Sequence, residues 1–230
     1  MTTQPNIAEA AAPGEPILLC WSGGKDSAMT LYTLQRAGRR VAALLTTVTE
    51  TYDRISMHGV RRELLERQAA AIGLPLALVR IPPSCVNEIY ESRMRAALDV
   101  QISRGIRTVA FGDIFLEDVR RYREQKLAGC ALQPIFPLWQ RDSEDLFSAF
   151  VALGFRSVIV CVDPRKLDPS YAGRELDAAF LRHLPPGVDP CGENGEFHSF
   201  VYDGPIFQQP VLIRRGEVVE RDGFVFCDLL

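Results

Sequence analysis

Two serines, two glycines, a lysine and an aspartate stand together at Ser22-Gly23-Gly24-Lys25-Asp26-Ser27, after an apolar run, Ile17 to Trp21, and before a helical pattern. Tandem glycines let a backbone turn sharply and approach a ligand without Cβ interference. Backbone N–H groups of such a loop, with the first turn of the following helix, form a cradle of partial positive charge suited to a phosphate chain. Ser22 and Ser27 add hydroxyl donors and Lys25 adds a full charge. This is not a Walker A loop, because no Gly-Lys-Ser/Thr follows a glycine at the required spacing. A plain strand-to-helix turn is the competing reading, yet a turn requires neither the flanking serines nor the aspartate.

The elements that must position this loop follow from apolar periodicity. Helical spacing runs from Asp26 to Ala37 and stops at Gly38. Val41 to Val48 is a second strand, Val60 to Ile72 a helix closed by Gly73, and Leu76 to Ile81 a strand halted by Pro82-Pro83. Asn87 to Ser103 is a helix, and Thr108 to Phe111 a strand ending in Gly112-Asp113. Strands alternating with helices imply a parallel sheet covered on both faces. In such sheets ligands sit beyond the carboxyl ends of the strands, where strand order reverses. The Ser22 loop, Thr46-Thr47 and Gly112-Asp113 all fall at those ends, so a nucleotide site is expected there.

From about Leu127 the pattern changes. Pro134 to Trp139 is a proline-punctuated apolar stretch, Ser143 to Leu153 a helix capped by Gly154, and Ser157 to Val162 a buried strand. Glu175 to Leu184 reads as a helix, and Phe197 to Asp203 and Val211 to Cys227 as short strands, the later pair joined around Arg215-Gly216-Glu217. The expected organisation is a disordered tail over 1–15, a nucleotide domain over 16–130 and a smaller α+β domain over 131–230.

The chain has 230 residues, a formal net charge of −3 and 47% hydrophobic residues, an ordinary balance for a soluble globular protein. Bulk charge of this sign argues against a nucleic-acid partner. The six cysteines include no Cys-x-x-Cys pair, which argues against a zinc site or a thioredoxin-type motif. No secretion signal and no apolar run long enough for a bilayer are present, so a cytoplasmic protein without membrane partners is expected. A homo-oligomer is compatible with the sequence.

The Ser-Gly-Gly-Xaa-Asp-Ser pattern resembles the pyrophosphate-binding loop of the PP-loop ATP pyrophosphatases, in which ATP is cleaved between the α- and β-phosphates. Further stretches together resemble one branch of that superfamily, the diphthine–ammonia ligase (diphthamide synthase) family. They are Ser56-Met57-His58 with Gln68-Ala69, Gly112-Asp113-Ile114, Pro137-Leu138-Trp139, and Cys191 to His198 continuing to Asp203-Gly204-Pro205-Ile206-Phe207. The resemblance covers nearly the whole chain beyond the tail. It implies a Rossmann-like fold of the adenine nucleotide alpha hydrolase type, with a smaller α+β C-terminal domain. It also implies an ATP-dependent amide ligase: a carboxylate attacks the α-phosphate, pyrophosphate leaves, and ammonia displaces AMP. In the family the acceptor is diphthine, a modified histidine of translation elongation factor 2.

On that resemblance Ser22, Gly23, Gly24, Lys25, Asp26 and Ser27 are assigned to the phosphates, and Thr46 and Thr47 to adenine or ribose. Gly112 and Asp113 are assigned to the nucleotide, with Asp113 a magnesium partner. Lys25, Asp26, Glu193 and Glu196 are the expected catalytic groups. His58, Tyr122, Arg123, Asn194 and His198 are the expected contacts to the carboxylate acceptor. Each has a plainer reading: His58 as a capping residue, the two glutamates as solvated loop carboxylates, Tyr122 and Arg123 as an exposed helix face. At His198 the chain departs from relatives that carry an acidic residue. The competing functions are another PP-loop activator with a different acceptor, and an adenine-nucleotide sensor without turnover.

Overall fold

In the computed structural model, Ile17–Cys20 forms β1, and Ile17, Leu18 and Leu19 carry no exposed surface. Only a central strand covered on both faces allows that. The residues described are 14–55, 58–82 and 85–230; most of the expected tail, together with Ser56, Met57 and Pro83, lies outside them.

After β1 come α1 (Lys25–Arg36), β2 (Val41–Thr49), β3 (Arg54–Ile55), α2 (Arg62–Ile72), β4 (Leu76–Ile81), α3 (Asn87–Ser103), β5 (Thr108–Ala110), α4 (Glu117–Ala128) and β6 (Gln133–Ile135). The parallel strands lie in the order β4-β2-β1-β5-β6, and β3 adds antiparallel to the end of β2. Chain order therefore reverses between β1 and β5. That is the switch point at which a doubly wound sheet opens a crevice.

The second sheet is antiparallel, in the order β8-β7-β10-β9, built from β7 (Arg156–Val162), β8 (Phe197–Asp203), β9 (Arg215–Arg221) and β10 (Phe224–Leu229). α5 (Ser143–Ala152) precedes it, and its buried Phe147 and Phe150 stack on Phe180 and Phe155. One apolar cluster runs without a break from β1 and α1 to β7 and β8. The expected Rossmann-like sheet with a smaller α+β part is thus the observed architecture.

Three local features differ from expectation. The helix expected over Glu175–Leu184 is shorter: α6 spans Ala178–His183, because the Asp177 carboxylate accepts from Phe180 N and sets the N-terminus there. Glu175 instead bridges to Val158, and its carboxylate takes Tyr202 Oη and Arg215. The final hairpin does not turn at Arg215-Gly216-Glu217, which lies within β9. It turns at Asp222-Gly223, both with positive φ (52° and 76°), the geometry a two-residue hairpin needs. α4 arises from a segment with only one buried residue, Leu127, so no apolar period announces it.

Gln68 of α2 ties the two sheets together. Fully buried, it accepts from Trp21 Nε1 at 2.7 Å and donates through Nε2 to the carbonyls of Gly23 (3.0 Å) and Val201 (2.5 Å). Val201 N in turn donates to the Gly23 carbonyl at 2.9 Å. A buried polar group with every partner in place is costly to break, since each partner is left unsatisfied. Gln68→Leu is expected to cost on the order of 3 kcal/mol, read as a melting temperature lower by about 8 °C. An unchanged melting curve would show that the two sheets do not depend on this pin.

Candidate active site

The loop that leaves β1 is pre-shaped. Gly23 has φ 78°, and a Cβ there would meet Gln68 Oε1 at 2.9 Å and Leu65 Cδ1 at 3.0 Å. Ser27 Oγ donates to the Gly24 carbonyl at 2.9 Å, Gly24 N donates weakly to Ser22 Oγ at 3.3 Å, and Lys25 N donates to Ser199 Oγ at 3.2 Å. Gly24 is the N-cap of α1 and makes no side-chain capping bond, so the helix N-terminus opens toward the cavity, with Asp26 as the acid in its first turn.

Lys25 is 1% exposed, and its ammonium is ion-paired with Asp26. Burial disfavours the charge, but the adjacent Asp26 carboxylate outweighs it and holds the lysine above its ordinary value. Gly112 backs this turn, its Cα so close that a Cβ would lie 3.1 Å from the Asp26 carbonyl carbon and 3.2 Å from Thr30 Oγ1. Glycine is favoured there by proximity, not by conformation.

A cavity of about 890 Å³ extends from this loop along the carboxyl ends of β1, β2 and β5 to α3, α4 and the 191–199 segment that enters β8. Ser22, Gly24, Lys25, Asp26, Ser27, Thr46, Thr47, Gly112, Asp113, His58, Tyr122, Arg123, Glu193 and His198 all line it. Thr46 and Thr47 lie inside β2, which runs past the end of β1. Leu98, Val109, Phe111 and Met94 form an apolar wall between α3 and β5.

Glu193 and Glu196 separate. Glu193 lines the cavity and its Oε1 accepts from Ile114 N at 2.7 Å. Burial pushes its carboxyl up to about 7. Glu196 is 3% exposed and turned away: its Oε1 accepts from Asp189 N and Asn194 Nδ2, both at 3.1 Å, and Oε2 is buried without a partner among the described residues. The structure therefore corrects two expectations. Glu196 and Asn194 shape the 189–196 turn and do not face the cavity. Gly192 (φ 68°) turns the chain just before Glu193, and Gly195 (φ 80°) turns it between the two glutamates.

Asp113 and Arg123 also take a different role. Arg123 Nε donates to Asp113 Oδ2 at 2.6 Å and Nη2 to Oδ1 at 3.0 Å, and the guanidinium lies 4.4 Å from the Phe111 ring centre. Both Asp113 oxygens are thereby occupied, which removes the reason to treat it as the metal partner. Among the described residues no group of three or more His, Cys, Asp and Glu is placed to hold a metal. Asp26 and Glu193 remain as cavity carboxylates, a set that fits magnesium, which takes one or two protein carboxylates and completes its shell with phosphate and water.

His58 and His198 stack, ring centres 4.5 Å apart and planes 30° apart. His58 Cε1 stands 3.2 Å from where a Gly24 Cβ would lie, and His58 Nδ1 is buried without a hydrogen-bond partner among the described residues. Burial and the nearby Lys25 charge pull His198 down to about 4, and burial, His198 and Lys25 pull His58 well below its ordinary value. Both imidazoles are therefore neutral at physiological pH.

Two family models match this chain: the diphthamide synthase N-terminal domain over residues 16–128 and the diphthamide synthase C-terminal domain over 142–228. The chain belongs to the diphthamide synthase family. It is similar to proteins named diphthine–ammonia ligase from Bos taurus (27% identical over 229 residues, 90% of this chain and 85% of that protein) and Homo sapiens (28% over 229 residues, with the same coverage). The Danio rerio protein of that name is 29% identical over 220 residues, 86% of each chain. Within the diphthamide synthase family fold, Ser199, Trp21 and Asp189 are site-building residues that spacing alone does not reveal. Asp189 Oδ1 accepts from Cys191 N (2.9 Å) and Glu193 N (3.1 Å), which aims Glu193.

Because folding raises the Glu193 pKa from 4.5 to about 7, the folded state binds the proton more tightly. The stability of the nucleotide-free protein should therefore contain a contribution that declines as pH rises from about 4.5 to about 7 and is level above that. Glu193→Gln removes it. The melting temperature of the variant relative to the unmodified protein should climb across that window; a constant difference would place the Glu193 carboxyl at an ordinary pKa.

Proposed function

We propose that this protein is an ATP-dependent, AMP-forming amide ligase that adenylates a carboxylate and transfers the acyl group to ammonia. The observation that carries this reading is the meeting of the Ser22–Ser27 loop, the buried Lys25–Asp26 pair and Glu193 in one cavity at the switch point between β1 and β5. The family names of its relatives support it.

In this reading the amides of the loop and the ammonium of Lys25 hold the β- and γ-phosphates, where charge accumulates as pyrophosphate leaves. Thr46 and Thr47 face the adenosine, with Gly112 backing the loop. Magnesium carried on the triphosphate would be met by Asp26, supplying further charge neutralisation and leaving Glu193 free to take a proton. The acceptor carboxylate lies toward His58, which precedes α2, and His198 of β8. Its oxygen forms the bond to the α-phosphorus as the bond to the bridging oxygen breaks. Ammonia then attacks the acyl carbon, the bond to AMP breaks, and the ammonium proton goes to the Glu193 carboxylate, whose pKa of about 7 suits a proton acceptor at neutral pH. Two neutral imidazoles beside the acceptor can donate hydrogen bonds without adding charge.

The six free cysteines suit the reducing cytoplasm, where we place the enzyme. Asp26→Asn is expected to lower AMP and pyrophosphate release by at least about a hundredfold while preserving the far-ultraviolet circular dichroism spectrum and a cooperative melt. Detection of ADP as the product, or of ATP binding with no turnover for any carboxylate and ammonia, would replace the ligase reading with a kinase-like or sensor function.

A further inference from the structure

Strand β9 ends the antiparallel sheet, and no strand of the described residues pairs on its far side. An open strand edge is a template for another strand unless proline, lysine, a bulge or a covering element blunts it. β9, Arg215-Gly216-Glu217-Val218-Val219-Glu220-Arg221, has neither proline nor lysine, and Val218 in its middle is 55% exposed. Glu217, Glu220 and Arg221 are also exposed and form no ion pair within 4.0 Å among the described residues, whereas Arg215 is committed to Glu175. These charges are of both signs, so they repel some strand partners and suit others.

The hairpin fixes which backbone groups point outward. Arg221 and Phe224 flank its two-residue turn and face each other, as do Val219 and Phe226 further along. Residues flanking such a turn exchange both backbone bonds, and bonded pairs alternate with unbonded ones along the ladder. Val218 and Glu220 hold the unbonded positions, so their N–H and C=O groups turn to the open side. The register is regular from Val218 to Arg221; its irregularity falls between Cys227 and Leu229, opposite the Arg215 end.

A second copy of the chain can meet those groups with its own β9, antiparallel about a two-fold axis. Charge then selects the register, because opposite charges facing each other across strands stabilise and like charges destabilise. An axis at Val218 brings Arg215 toward the partner's Arg221, and an axis at Glu220 sets two glutamates face to face. With the axis at Val219, Val218 exchanges backbone bonds with the partner's Glu220, and Glu217 stands opposite the partner's Arg221 at both ends.

We propose that β9 is a self-association edge, at which two copies of this chain pair antiparallel about Val219 into one continuous sheet. The inference goes beyond the ligase reading and does not depend on it.

The test is sedimentation velocity of the full chain over a concentration series, for the native chain, Glu217→Arg, Arg221→Glu and the two substitutions combined. A concentration-dependent dimer is expected, weakened at least about tenfold by either single reversal, which sets like charges opposite at both ends, and restored by the combined reversal. Val219→Cys should in addition link the copies by a disulfide under mild oxidation that leaves the native chain unlinked, because an unbonded pair brings side chains closest. A monomer at every concentration, a dimer indifferent to the single reversals, or one that the combined reversal fails to restore, would overturn the proposal.

Discussion

An ammonium with 1% of its surface exposed must be compensated nearby, and the fold around Lys25 is arranged to do so. Removing such a charge from water costs several kcal/mol, which one good ion pair repays only if its geometry is held. Asp26 is the next residue on the first turn of α1, so the helix itself holds the pair. The Asp26 side chain keeps 30% of its surface open to the cavity. A buried cation with a partly open counter-ion is suited to trading that counter-ion for a polyanion. Burial first and this cation second keep His198 uncharged, and burial, then His198, then the cation keep His58 so.

The second sheet is part of this arrangement. Ser199 Oγ receives Lys25 N, and Val201 N binds the Gly23 carbonyl beside Gln68. β8 therefore closes the back of a loop that β1 opens, although 174 residues separate Ser199 from Lys25. A Rossmann-like sheet alone would leave that loop with one flank in solvent. The antiparallel sheet supplies the flank, and through Asp189 and the 191–199 segment it also supplies Glu193.

What could be read from the chain and what could not divides along this line. The loop, the strand ends and the alternating order are local patterns, and the spacing of Ser22 to Ser27 already carries their chemistry. Glu193 and Glu196 are three residues apart with the same chemistry; the backbone turn at Gly195 between them and the Asp189 bond to Glu193 N decide that one faces the cavity and the other the turn. Arg123 was legible as a cation near the site, but its partner Asp113 sits ten residues earlier, across a loop of no regular period. α4 is polar on nearly every face, so it forms without an amphipathic signature. The Asp-Gly pair at 222–223 is a stronger hairpin signal than the glycine at 216, because a two-residue turn needs two positive φ values in succession.

The strap from Arg54 to Arg61 is where these constraints meet. On one side His58 stacks on His198 in the wall of the large cavity. On the other, Arg54 Nη1 donates to the Gly59 carbonyl at 2.7 Å as well as to Asp228, and Gly59 lies so close to Phe226 that a Cβ would stand 2.6 Å from its ring. The β10 strand thus grips the strap at both ends and in the middle. Any side chain at position 59 would push the strap off Phe226 and carry the adjacent His58 with it. The position of His58 in the imidazole stack is consequently tied to the C-terminal hairpin, an element that contributes no residue to the Ser22–Ser27 loop.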